Sequence, residues 1–197
     1  GGVHHALGQA DGRPVAGRST QTMLAVATPG SVRGYAEAHR LLGRLPWAKV
    51  VAPAERLARE GFVVPDGLSR DLDEERKLLT RWDEARRLFF PEGRPLAPGA
   101  RLKQPELAAT LARIGREGPD AFHRGEIAAR IAAYVRAHGG VLSEEDLAGY
   151  APVWRAPDEI RFGDVVVHTM PLPSSAGLVL RSVLAQLEVA RGTGPFR

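Results

Sequence analysis

Hydroxyl and imidazole side chains are the groups with which this sequence could do chemistry, because it contains no cysteine. Without thiols there is no disulfide scaffold, no Cys-ligated zinc and no thiol nucleophile. The six histidines are His4, His5, His39, His123, His138 and His168. None forms a pair at the three-to-five-residue spacing of a helical metal site, and no His-Glu-x-x-His occurs, so no metal is expected. The glycines contain neither Gly-x-Gly-x-x-Gly nor a phosphate loop ending in Gly-Lys-Ser/Thr, so no nucleotide cofactor is expected either. The run Ser174-Ser175-Ala176-Gly177 falls at a predicted strand-to-helix turn, a place where exposed nucleophiles can sit. It lacks the Gly-x-Ser-x-Gly frame, and Ser-x-x-Lys is absent throughout. Capping the following helix is the plain role for this serine pair. Free helix N–H groups can also hold a carboxylate, which makes Ser174 and Ser175 the candidate substrate-binding residues. No catalytic residue is assigned within the chain.

A chain of 197 residues with 44% hydrophobic residues is long enough to bury a sizeable core, roughly 70% of its unfolded surface. Its formal net charge is +4, yet acids and bases interleave, as in Asp71-Leu72-Asp73-Glu74-Glu75-Arg76-Lys77. A nucleic-acid surface gathers its positive charge on one face, whereas this pattern predicts solvated, salt-bridged helices. Of the 27 basic residues only Lys49, Lys77 and Lys103 are lysine, an arginine excess we read as compositional background. No stretch of about 18 apolar residues is present, so no membrane-spanning helix is expected. Gly1-Gly2-Val3-His4-His5 has no charged n-region or apolar h-region, so no signal peptide is expected in this stretch. The residues leave the compartment open.

The elements that must position the serine pair follow from periodicity and punctuation. Residues 1–30 read as irregular, with turn signals at Asp11-Gly12-Arg13-Pro14 and Thr28-Pro29-Gly30. Ser31 is expected to cap a helix to about Leu42, closed by a left-handed Gly43. Pro46 suits a first helical position, Ala54–Glu60 reads as a helix stopped by Gly61, and Leu68 to about Phe89 as helix in two pieces. Residues 91–102 read as a loop with fixed turns. Gln104–Glu117 carries an apolar stripe of Leu107, Leu111 and Ile114. Glu126–His138 places Ile127, Ile131, Tyr134 and Val135 on one face. Ser143-Glu144-Glu145-Asp146 is a capping-box pattern. After Tyr150 the period drops to 2. Val153–Phe162 and Val165–Thr169 are predicted strands of one antiparallel hairpin across Gly163-Asp164. The run Val165-Val166-Val167 predicts a strand covered on both faces. Ser174 or Ser175 then caps a helix to about Glu188, expected to pack on the hairpin. The fold class is α+β and predominantly helical, in one partial domain: a lead-in over 1–30, helices over 31–150, and a hairpin plus helix over 151–190.

Several stretches, in order and spacing, resemble the γ-glutamyltranspeptidase family. They are Ala27-Thr28-Pro29-Gly30-Ser31-Val32-Arg33-Gly34, Leu45-Pro46-Trp47 leading to Ala52-Pro53-Ala54-Glu55-Arg56-Leu57, and Phe89-Phe90-Pro91-Glu92-Gly93-Arg94-Pro95-Leu96. Leu102-Lys103-Gln104-Pro105-Glu106-Leu107-Ala108, Gly118-Pro119-Asp120-Ala121-Phe122-His123-Arg124-Gly125-Glu126-Ile127-Ala128, Gly139-Gly140, Asp146-Leu147-Ala148-Gly149-Tyr150 and Met170-Pro171-Leu172-Pro173-Ser174-Ser175-Ala176-Gly177 complete the series. The family's usual Pro-Ser-Ser-Gly-Gly is here Pro-Ser-Ser-Ala-Gly. The alanine implies that this position needs no positive φ.

The resemblance implies a middle segment of the large subunit of an N-terminal nucleophile hydrolase with an αββα fold. Such a precursor cuts itself, and the new N-terminal Thr of the small subunit attacks a γ-glutamyl amide such as that of glutathione. The acyl group then passes to water or to an amino acid. The family's Arg-Glu-x-Ala-Pro motif is expected before residue 1, and the nucleophile beyond Arg197. None of Thr20, Thr22, Thr28, Thr80, Thr110, Thr169 or Thr193 sits in the matching motif. The implied partner is the remainder of the same precursor, and the implied location periplasmic or secreted. No cofactor, nucleic acid or membrane span is implied. Two rivals stay open: a family hydrolase for another γ-linked substrate, such as a polyglutamate or a cephalosporin side chain, and a helical interaction or nucleic-acid-binding module. Steep salt dependence of binding would mark the second.

Overall fold

The computed structural model describes residue 15, residues 17–18 and residues 20–193. The predicted turn at residues 11–14, and His4 and His5, lie outside the described residues. The chain divides into two compact units, Gly1–Pro152 and Val153–Arg197.

The first unit is helical. It contains α1 (Ser31–Leu42), α2 (Trp47–Glu60), α3 (Asp66–Glu74), α4 (Arg76–Leu79), α5 (Asp83–Phe89), α6 (Pro105–Glu117), α7 (Asp120–His123), α8 (Gly125–Ala137) and α9 (Glu144–Gly149). Helix α2 packs along α6, and the Trp47 indole Nε1–H donates to the Ile114 carbonyl at 2.9 Å. The buried side of α6 is Ala108 and Ile114, whereas Leu107 is exposed. Small residues at that contact let two helix backbones approach closely. The core of the unit is Ala128 and Val135 from α8 with Leu142 and Leu147, and Met23 and Ile131 pack against it. Helix α9 opens with the expected capping box. The Ser143 hydroxyl accepts from the Asp146 N–H at 3.1 Å, and the Asp146 carboxylate accepts from the Ser143 N–H at 2.9 Å. Two of the donors orphaned at a helix start are thereby satisfied.

Several expectations are corrected in this unit. Ser31 is the first helical residue rather than the cap, which is Gly30, and Gly43 is extended (φ −71°, ψ 139°), not left-handed. Helix α2 starts at Trp47, with the expected start residue Pro46 as its N-cap, and runs through Pro53 as one helix that includes the predicted Ala54–Glu60 piece. Pro53 costs one ladder bond, and the packing against α6 offsets it. Residues 66–89 form three helices rather than two. The region read wholly as loop contains β2 (Arg101–Leu102), which pairs antiparallel with β1 (Phe62–Val63) in the register Phe62↔Leu102. Strands of two residues leave no periodicity to read. The ladder carries Val64 into the interior at 1% exposure.

The second unit is the expected hairpin and helix. Strand β3 (Asp158–Phe162) pairs antiparallel with β4 (Val165–Thr169), from Asp158↔Thr169 to Phe162↔Val165. Strand β3 begins at Asp158 and not at the predicted Val153. In this register residues 153–157 would face 170–174, where Pro171 and Pro173 have no N–H to give a ladder. Helix α10 (Ser175–Thr193) runs past the expected Glu188. It packs on the hairpin, with the Arg181 guanidinium donating to the Glu159 carbonyl at 3.2 Å and the Gly163 N–H to the Glu188 carboxylate at 2.9 Å. Among the expected two-sided core residues of β4, Val165 and Val166 are exposed. The architecture is α+β, predominantly helical, with two antiparallel ladders where one was expected.

Candidate functional site

The serine pair sits where the sequence puts it, on the turn between β4 and α10. Pro171 and Pro173 cannot extend the ladder, so β4 ends and the backbone turns. The Leu172–Pro173 peptide is cis, and the Ser174 N–H closes the turn by donating to the Pro171 carbonyl at 3.2 Å. The Ser174 hydroxyl accepts from the Ala176 N–H at 3.4 Å. Ser174 is therefore the cap, half-buried, and Ser175 is the first residue of α10 and exposed. Ala176 is helical, in line with the expectation that this position needs no positive φ. Gly177 has a different requirement. A Cβ there would come within 2.5 Å of the Met170 carbonyl oxygen, so only glycine lets α10 start this close to the turn. Ser174→Ala should cost about 0.5–2 kcal/mol, the usual value of such a cap. Ser175→Ala should cost clearly less, and chemical denaturation of the two variants compares them directly.

Among the described residues no base is hydrogen-bonded to either serine hydroxyl. Among the described residues no group of three or more His, Asp or Glu side chains could hold a metal. The threonine hydroxyls that have partners are spent on backbone carbonyls: Thr20 on Gly17 at 3.5 Å, Thr22 on Arg18 at 2.7 Å, Thr80 on Arg76 at 2.7 Å and Thr110 on Glu106 at 3.0 Å. Three of the described imidazoles have partners as well. His39 bonds the Leu45 carbonyl at 2.7 Å and meets the Trp47 ring edge-on. His138 bonds the Tyr134 carbonyl at 2.8 Å, and His168 lies 3.6 Å from Glu159 across the hairpin. A groove of about 350 Å³ beside α1 is lined by Arg33, Glu37, His39, Arg40 and Trp47. Its charges are already paired, Arg33 with Asp120 and Arg40 with Glu37.

A polar cluster that sequence reasoning missed surrounds His123, which is fully buried. Its Nδ1 lies 3.0 Å from the Leu147 carbonyl. Burial, first, and the nearby Arg33 guanidinium hold its pKa below the ordinary histidine value, against the opposing effects of the Leu147 carbonyl and Asp120. A lone histidine after a phenylalanine carries no pattern that would have signalled this.

With that geometry in view, comparison with known proteins is informative. The Gamma-glutamyltranspeptidase family model matches residues 4–193. The glutathione hydrolase proenzyme of Escherichia coli K12 is 39% identical over 178 residues, which is 90% of this chain and 31% of that protein. The acylase ACY 1 proenzyme of a Pseudomonas strain (SE83) is 38% identical over 164 residues, covering 83% of this chain and 29% of that protein. The γ-glutamyltranspeptidase of Helicobacter pylori superposes with a TM-score of 0.89 at 28% identity, over 93% of this chain and 53% of that one. The chain spans less than a third of the length of these curated relatives. It belongs to the γ-glutamyltranspeptidase family.

Proposed function

We propose that these residues are the middle part of the large subunit of a self-cleaving precursor that transfers or hydrolyses the γ-glutamyl group of glutathione and related amides. The observation that carries this reading is the match of nearly the whole chain, at 39% identity, to a protein named glutathione hydrolase proenzyme. In this reading the nucleophile is an N-terminal Thr outside the segment. Its α-amine titrates near neutrality and can take the hydroxyl proton. The Thr oxygen bonds the γ-carbonyl carbon, and the leaving amine departs with a proton. Water or an amino acid then takes the acyl group and restores the Thr hydroxyl.

Within this reading the segment supplies scaffold, and the turn at Ser174 and Ser175 is its candidate contact with substrate. The exposed apolar side chains Val165 and Val166 of β4 and Val179, Val183 and Leu187 of α10 support a covering partner, the remainder of the same precursor. Glutathione hydrolysis by the complete protein tests the reading, with steady release of glutamate or of a γ-glutamyl-amino acid expected. In that protein Ser174→Ala and Ser175→Ala should lower turnover by far less than the roughly million-fold loss that follows removal of a nucleophile. A million-fold loss in a folded Ser175→Ala protein would place the serine in the chemistry.

The ACY 1 relative favours a second reading, an acylase for another side-chain amide, and parallel assays with glutathione and a cephalosporin side-chain amide separate the two. Membership of an enzyme family leaves the nucleic-acid-binding module without support.

A further inference from the structure

His123 is the fully buried polar side chain of the described core. A carbonyl only accepts hydrogen bonds, so the proton of the neutral ring is on Nδ1, donated to Leu147. Nε2 is then a buried lone pair, and no described group donates to it. The ring stacks on Tyr150 at 5.9 Å and meets the edge of Phe122 at 5.1 Å. Tyr150 in turn lies over Gly30, where a Cβ would collide with the end of its ring.

Residues 148–150, which follow Leu147, are held by further hydrogen bonds from α1 and from Arg124. The Arg33 guanidinium from α1 donates to the Ala148 carbonyl at 3.1 Å, to the Tyr150 carbonyl at 2.6 Å and to the Asp120 carboxylate at 2.7 Å. Arg124 reaches the Ala148 carbonyl at 3.4 Å and lies 3.7 Å from Asp120. The charged groups that act on His123 are the Arg33 guanidinium and the Asp120 carboxylate, and the Tyr150 ring stacks on it. A proton added at Nε2 would create a buried N–H⁺ without an acceptor, in the field of the Arg33 guanidinium.

We propose that His123 is a proton-operated latch: neutral, it holds the Leu147–Tyr150 segment against α1 and α7; protonated, it lets that segment go at the point where the chain leaves the helical unit. Pro152 ends that unit, and the chain then enters the hairpin that carries the serine turn. The sign follows from proton linkage. The released ring takes up a proton near the ordinary histidine value of about 6.5, whereas the held ring does so only at lower pH. Between those limits the released form binds more protons, so acid favours release, and above the ordinary value the latch is fully held.

Amide hydrogen exchange on the complete protein, corrected for intrinsic rates, tests this between about pH 7.5 and about pH 5. Protection over residues 147–150 should fall about tenfold or more as the pH drops, while α6 keeps its protection. In His123→Gln, whose amide can donate to Leu147 without titrating, the fall should shrink to less than about threefold. Unchanged protection in the wild type, an equal fall in the variant, or parallel loss in α6 would each overturn the latch. Should His123→Gln fail to fold, the side-chain NMR titration of His123 in the wild type decides: a midpoint at or above the ordinary histidine value overturns the proposal.

Discussion

Leu147→Ala should destabilise the helical unit by about 2–5 kcal/mol, the range for emptying a leucine site in a packed core. Leu147 is 0% exposed and sits among Ala128, Val135 and Leu142. One of those neighbours, Ala128, is an alanine, which cannot swing in to fill the hole. The same residue's carbonyl receives the His123 N–H, so a backbone shift to collapse the cavity would strain that bond. Leu107→Ala is the control. Leu107 belongs to the stripe the sequence predicts for α6, yet it is 42% exposed, and its loss should cost about 1 kcal/mol or less. Urea denaturation of the complete protein ranks the two. Equal costs would mean that the stripe, and not the α8–α9 cluster, carries the core.

The contrast between Leu107 and Leu147 shows what the sequence made legible. Periodicity and punctuation located α6, α8 and the β3–β4 hairpin, because the helices repeat an apolar face over several turns and the strands flank a Gly-Asp turn. Of the predicted α6 stripe, Ile114 is buried and Leu111 half-buried, but Leu107 is exposed. The buried contacts of that helix are Ala108 and Ile114 against α2, a choice made by close helix approach and not by side-chain size. Local punctuation fared similarly. The capping box at Ser143 is satisfied entirely within four residues and was readable. The start of α2 was marked by Pro46, its N-cap, but its continuation through Pro53 was not, because the packing along α6 that offsets the lost bond is tertiary. The β1–β2 ladder joins residues some forty apart in two-residue strands, so nothing local encodes it.

At the candidate site, the turn and cap at Ser174 follow from Pro171, Pro173 and the serine itself. The need for Gly177 comes from the approach of the Met170 carbonyl, a tertiary fact. The His123 cluster is assembled from α1, α7 and the end of α9, and each of its members looks ordinary in sequence. The valines of β4 read as a strand covered on both faces, yet Val165 and Val166 are exposed. That mismatch agrees with the proposal that the rest of a precursor lies over them.

The isolated chain should be catalytically silent, and the expected difference from the complete protein is many orders of magnitude. Amide cleavage needs a nucleophile, a base and an oxyanion hole held together. Among the described residues the bonded threonine hydroxyls serve backbone carbonyls, and the buried imidazole of His123 faces Leu147 rather than a hydroxyl. The exposed valines and leucines of β4 and α10 should also make the free piece self-associate, which light scattering would show. The decisive measurement is release of p-nitroaniline from a γ-glutamyl anilide, with purified residues 1–197 and the complete protein assayed side by side. Our reading predicts no release by the 197-residue chain and steady turnover by the complete protein once it has cleaved itself. Turnover by the chain alone that survives repurification, or none by the complete, self-cleaved protein, would contradict it.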